Sequence, residues 1–404
     1  MKLFKEVTVR AKGINDENQQ LSFVSDKADK LVDQKPAKGP LLEYRIKRLL
    51  FYMGYYAQTN IVIKTSTQQP NDNITDLDVY GYFFLPDFSY SISWVDCKSG
   101  NANVLQHIGW INGIKPQVSA DEVIFVKQGV RKNIKEYART LGIKVFDLNS
   151  LKQLEDSYNI KSDDWHGGYD IESQSKMLAE FTRITTPDAN IYKNIANFMT
   201  STYWTLDYFS KVKKCITGIK QLANVVFLPF SETQNSAVRW ALFNLISLFF
   251  LATLEICGDL YYFSEKDKSS AIAEGLVSGT IPIEKRQELA DISHKIAAEM
   301  IKQHIPEFNE ANINRVNPNV PPAYYEAFCD LVKRMTQNPL NWTKSLRVLD
   351  YYLMEFDLKN KNVPGDFFQK FSLKPDEMEF SLKTVLHFIN KVTGVSKELF
   401  GLIK

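Results

Sequence analysis

The hydrophobic pattern changes character part way along the chain. In "LLEYRIKRLLFYMGYYA" (41–57) the apolar positions Leu42, Ile46, Leu49, Leu50 and Met53 recur at helical spacing. Three strand-like runs follow: "NIVIKTS" (60–66), "ITDLDVYGYFFL" (74–85) and "YSISWVDCK" (90–98), the last two separated by a turn at Pro86-Asp87. The next stretches read as a helix over 101–114, a strand over 122–127, a helix over 131–142 ending at Gly142, and a strand over 143–148. This order predicts a mixed α/β sheet with a three-strand meander, covered by helices.

Beyond "LKQLEDSYNIKSDDWHGGYDIES" the texture is different. Gly167-Gly168 reads as a linker, and helical spacing dominates over 174–184, 188–228 with interruptions, 234–263, 283–304, 322–336, 341–356 and 378–403. Prolines 187, 229, 282, 306 and 318 fall between these helices, and no fixed-period repeat is visible. The expected organisation is an N-terminal arm or hairpin (1–36), an α/β domain (37–165) and an all-α C-terminal domain (174–404). The run "ALFNLISLFFLATLEICGDLYYF" (241–263) contains Asn244, Ser247, Thr253 and Glu255, and is expected to be a buried helix, not a membrane span.

Composition narrows the picture. The 404 residues are 44% hydrophobic and 24% charged with a net charge of +2, so any nucleic-acid contact must come from a local basic face. The four cysteines (Cys97, Cys215, Cys257, Cys329) are dispersed, which argues against a zinc site or a disulfide framework. The opening "MKLFKEVTVRAKG" has no signal-peptide core, and a cytoplasmic location is expected.

The chemistry is concentrated at "SISWVDCKSG" (91–100). Asp96 and Lys98 share a strand face by period-two alternation, and Asp78 in "DLDVYG" lies on the preceding strand, with Asp76 on its face. Two carboxylates on neighbouring strands about 4.8 Å apart have a physical reason to coexist if they share a hard cation, Mg²⁺ or Mn²⁺. The Cys97 carbonyl lies between Asp96 and Lys98 as a further candidate ligand, while its side chain points to the opposite face. Lys98 is placed to orient a water or to steady charge on a phosphate. A surface ion pair at a strand end is the alternative reading.

Glu43 on the leading helix, Asp78 on a strand and Asp96-x-Lys98 on the next strand resemble the PD-(D/E)xK nuclease superfamily over about residues 41–150. The resemblance implies a restriction-endonuclease-like fold and a Mg²⁺-dependent nuclease. In it Asp78 and Asp96 bind metal, Lys98 assists the attacking water, and Glu43 helps to bind or orient the metal site. Gln106 and Trp110 in "QHIGW" are similar to a glutamine and an aromatic residue, usually tyrosine, of recombination-type exonucleases. No proline precedes Asp78, and Asp76 remains an alternative ligand.

The resemblance also implies a DNA substrate, with RNA as the alternative, and suggests a bacterial defence, restriction or mobile-element setting. Lys127, Arg131, Lys132, Lys135 and Arg139 form a basic cluster that either tracks a phosphate backbone or serves solubility. Lys211, Lys213, Lys214 and Lys220 form a weaker one. His107 is expected to be a partly exposed helix residue without a catalytic part. The helical domain is expected to bind substrate, a protein partner or a second copy of the chain. A catalytically silent binding protein built on the same fold is the rival reading.

Overall fold

A computed structural model describes residues 39–64, 72–100, 103–160, 171–185, 189–225, 230–278, 283–305, 307–309, 317–365, 367–370 and 374–403. The expected N-terminal arm and the Gly167-Gly168 linker with His166 lie outside the described residues.

The leading helix, α1, runs Gly39–Met53. Its buried stripe is the predicted one, with Leu42, Ile46, Leu49 and Leu50 all packed inside. Gly54, at φ +106, ends the helix by donating its N–H to the Phe51 carbonyl at 3.0 Å. That left-handed conformation favours glycine. The strands β1 (Tyr56–Lys64), β2 (Asn73–Phe84) and β3 (Tyr90–Lys98) then form an antiparallel meander.

Helix α2 (Val104–Ile114) crosses to β4 (Glu122–Lys127), which pairs parallel with β3. Helix α3 (Lys132–Thr140) crosses to β5 (Ile143–Phe146), parallel to β4. The five strands lie in sequence order, β1-β2-β3-β4-β5. The expected mixed sheet with a meander is therefore present, and each strand lies within a few residues of its predicted place.

One face of the sheet (Val79, Val95, Cys97, Ile124, Val126) packs on α1 and on α4 (Leu148–Ser157). The stretch 151–173 leads into the expected Gly167-Gly168 linker and carries no predicted helix, yet α4 has a clear local cause. Asp147 caps it by accepting from the Ser150 N–H at 2.8 Å, and Leu148 and Leu151 are buried on one side. Glu155 of α4 ties it to α1, accepting from Arg45 Nη2 at 2.5 Å and Arg48 Nη2 at 3.1 Å, with all three residues buried.

From residue 171 onward the described elements are helical. They are α5 (Ile171–Thr182), α6 (Ala189–Thr200), a short turn Thr202–Thr205, α7 (Tyr208–Ala223), α8 (Glu232–Leu260), α9 (Glu265–Ser278), α10 (Ile283–His304), α11 (Tyr325–Gln337), α12 (Pro339–Trp342), α13 (Ser345–Tyr352), a π turn over Leu353–Asp357, α14 (Phe367–Lys370) and α15 (Pro375–Thr393). The fold class is thus an α/β sheet domain followed by helices. One hydrophobic cluster runs from Tyr80, Tyr82 and Trp94 of the sheet into α8 and α15.

Helix α8 matches the expected long helix over 234–263, shifted by two or three residues toward the N-terminus. Its 29 residues include an apolar window long enough to cross a membrane, but 94% of that window is buried by the rest of the chain. The polar residues of α8 are accommodated locally. Asn244 donates to the Trp240 carbonyl at 3.1 Å, Thr253 to the Phe249 carbonyl at 2.8 Å, and Glu255 accepts from Lys211 at 2.9 Å. The hairpin between β2 and β3 docks on this helix through Phe88, which is fully buried at φ +62, against Gly258 and Tyr261. Arg347 of α13 donates to the Phe51 carbonyl at the end of α1 and lies over the Phe51 ring at 5.2 Å.

Candidate functional site

The β2–β3 ladder runs from Phe84↔Tyr90 to Val79↔Val95, and the same register sets Asp78 opposite Asp96. There the Cys97 N–H donates to Asp78 Oδ2 at 2.7 Å. Lys98 Nζ stands 3.2 Å from Asp96 Oδ1 and 3.6 Å from Asp78 Oδ2, so one ammonium bridges both acids. The other oxygen of Asp96 meets His107 Nε2 at 2.7 Å. Asp96 is only 1% exposed, which makes these partners necessary for a buried polar group.

Burial holds the Asp78 carboxyl above its ordinary range, with Asp96 adding to the rise. Glu43 is affected more strongly. Burial first, then the Asp78 and Asp96 charges, push it up to about 7 against the opposing pull of Lys98. For Lys98, burial favours the neutral amine, but Asp96 and Asp78 together outweigh it and raise its pKa, so the ammonium is kept. The Cys97 thiol is pushed well up by burial and packs with Val79, Val95 and Val126. It is a core side chain, and its surroundings disfavour a thiolate.

These groups open on a cleft of about 610 Å³ whose walls include Asp76, Asp78, Asp96, Lys98, Gln106 and His107. Gln106 is exposed on the first turn of α2, near the N-terminal cap in which Asn103 Oδ1 accepts from the Gln106 N–H. Glu43 does not line the cleft wall and is coupled to it through charge. Asp78, and not Asp76, is the acid in ion-pair contact with Lys98. Asp76 lies exposed at the cleft wall, two residues nearer the start of β2.

His107 is the residue the sequence reading passed over. Besides meeting Asp96, its ring stacks on Trp110 at 5.1 Å and 23° and tilts against Phe125 at 5.1 Å. The available signal was its spacing: His107 and Trp110 are three apart on a helix, so they share a face with each other.

The basic cluster is divided by the fold. Lys127 is buried, and its ammonium donates to the Gly100 carbonyl in the loop after Lys98, its register partner on β3. Lys135 is paired with Asp147 at 2.6 Å. Arg131, Lys132 and Arg139 remain exposed, with Lys132 3.8 Å from Glu136. In the second cluster, Lys211 is buried against Glu255. Tyr203 and Phe249, within the two aromatic runs, are fully buried in the core, as their spacing suggested.

The donor chemistry at Asp78 and Asp96 is all oxygen, which suits a hard divalent cation. Among the described residues, no group of three or more His, Cys, Asp or Glu side chains stands at metal-holding spacing. The position between the two carboxylates is held by the Lys98 ammonium, so a cation there would share their oxygens with it. No protein-family model, curated protein or solved structure matches this chain.

Proposed function

We propose that the protein is a metal-dependent nuclease of the restriction-endonuclease-like kind, hydrolysing phosphodiester bonds in DNA. The supporting observation is the convergence of Asp78, Asp96 and Lys98 just past the end of the β2–β3 ladder, with Glu43 perturbed by the same charges. Carboxylates shifted by burial and by a specific charge partner in a cleft are the physical signature of a candidate functional site.

Asp78 and Asp96 would hold Mg²⁺, or Mn²⁺ in its place, with Glu43 and the Cys97 carbonyl as further oxygen donors. Such an ion, when bound, polarises a phosphoryl oxygen and lowers the pKa of a water. Lys98 keeps its proton and donates to a water or phosphate oxygen above the carboxylates. His107 fixes the far oxygen of Asp96, so that carboxylate presents one orientation. Gln106 and Trp110 form the outer wall on α2, and Arg131, Lys132 and Arg139 offer phosphate contacts beside it.

Plasmid DNA incubated with Mg²⁺ or Mn²⁺ tests the reading. Cleavage is expected from the wild-type protein and is lost in Asp96→Asn and in Lys98→Ala, while DNA binding persists. A wild-type protein that cuts neither DNA nor RNA with either metal refutes it. One observation favours the silent binding protein instead: both oxygens of Asp96 already have protein partners. The same assay separates the two.

A further inference from the structure

A second cavity, of about 550 Å³, lies between the β1 side of the sheet and the helical half, walled by β1, α5, α6, α8 and the turn Thr202–Thr205. It adjoins the acidic site through the strand register. β1 pairs with β2 through Thr59↔Val79 and Ile61↔Leu77, so Asn60, a wall residue, falls opposite Asp78. Neighbouring strands are about 4.8 Å apart, which puts the cavity one strand spacing from the proposed cleavage site. Asn60 adopts φ +58 within a strand, a left-handed conformation that asparagine reaches more readily than most residues.

The wall has a consistent chemistry. Gln58 and Asn244 are 8% and 7% exposed, and among the described residues each side chain makes one hydrogen bond: Gln58 Nε2 to Tyr56 Oη at 2.6 Å, and Asn244 Nδ2 to the Trp240 carbonyl at 3.1 Å. A carboxamide can form about four, so both keep hydrogen-bonding capacity where bulk water is scarce. Trp204 adds an indole whose Nε1 donates to the Met199 carbonyl at 2.9 Å. Its ring is braced edge-on by Tyr80 at 5.9 Å and Tyr203 at 5.0 Å. Lys193 is the one charged residue among the described wall residues, and no carboxylate is among them. Lys64 lies beside the wall, donating to Asn197 Oδ1 at 2.8 Å.

Amides suit a flat group with donors and acceptors on its edge, a braced indole suits a π face, and isolated lysines suit an attached anion. We infer that this cavity receives one unpaired nucleobase of the strand whose phosphodiester lies at Asp78 and Asp96. The inference rests on the nuclease reading and extends it to the substrate: single-stranded, frayed or mismatched DNA is preferred. Extruding a base from intact duplex costs a few kcal/mol.

The test uses the full chain in EDTA, so that no cleavage is needed. Binding of a short oligothymidylate is compared with binding of the same strand carrying abasic positions stepped along it, read by fluorescence anisotropy. One abasic position is expected to weaken binding about 10-fold, in line with the stacking contribution of a single base. The difference vanishes in Asn60→Gly, which keeps the backbone conformation available, and in Trp204→Leu, with circular dichroism confirming that each variant is folded. Equal binding of every abasic strand by the wild-type protein overturns the inference, and so does an abasic penalty that both folded variants retain. Mg²⁺-dependent cleavage alongside either result leaves the nuclease reading standing. A base-dependent binder that cuts nothing refutes the nuclease reading while upholding the cavity as a nucleobase site.

Discussion

Glu43→Gln is expected to stabilise the protein by an amount that grows as the pH rises from about 4.5 to about 7 and is held above that. Burial and the Asp78 and Asp96 charges move the Glu43 carboxyl from its ordinary 4.5 to about 7. At about 1.4 kcal/mol per pH unit, this displacement represents at most about 3.4 kcal/mol. Glu43 is half-buried, and solvent screening reduces the figure to about 1–2 kcal/mol.

The direction follows from proton linkage. Between 4.5 and 7 the folded state holds a proton on Glu43 that the unfolded state has released, so stability falls as pH rises through this window. The contribution of neutral Glu43 is fully present below pH 4.5 and is lost above about 7. Glutamine has the shape of the neutral acid and never ionises. Urea denaturation in EDTA should therefore give similar stabilities for wild type and variant near pH 5, diverging to about 1–2 kcal/mol in favour of the variant by about pH 9. Mg²⁺ should shrink that advantage, because a cation offsets the repulsion. A stability difference that does not change between pH 5 and 9 would refute the placement of Glu43 beside the two aspartates.

Two further outcomes test the frame around the site. Glu155→Ala leaves Arg45 and Arg48 buried without their carboxylate, and should cost about 3–5 kcal/mol in urea denaturation; a loss below about 1 kcal/mol would mean that α4 does not hold α1. Gly258→Ala would bring a Cβ within 2.8 Å of the Phe88 carbonyl oxygen in a turn whose own φ is already positive. It should destabilise by about 1–3 kcal/mol, read as a lowered Tm, with an unchanged Tm counting against the docking of the β2–β3 hairpin on α8.

The strands were legible because each combines period-two alternation with a marked stop, such as Pro86-Asp87 or Ser99-Gly100. Asp78, Asp96 and Lys98 followed from the same alternation, since a face assignment on adjacent strands is nearly a contact. Contacts between distant segments leave no such local trace. Nothing in "QHIGW" announces that His107 will meet a carboxylate eleven residues earlier, and Lys127 read as a surface cation until β4 placed it beside the Gly100 carbonyl. Lys211 failed in the same way, because its partner Glu255 is 44 residues away on another helix. Helix α4 is hard to read for a local reason: its polar residues outnumber its apolar ones, and the Asp147 cap is the main signal that marks its start.

The cover over β1 has a consequence for solubility. β1 is a terminal strand of the sheet, and an uncovered terminal strand offers its spare N–H and C=O groups to any other chain in the extended conformation. Here α6, the Thr202–Thr205 turn and α13 pack against it, and Lys64 at its end donates to Asn197 of α6 at 2.8 Å. Helices standing against the strand hinder the approach of another extended chain and so oppose strand-by-strand polymerisation. A chain cut after Ile160 would carry Asp78, Asp96 and Lys98 with it, but would lose that cover and be prone to aggregate.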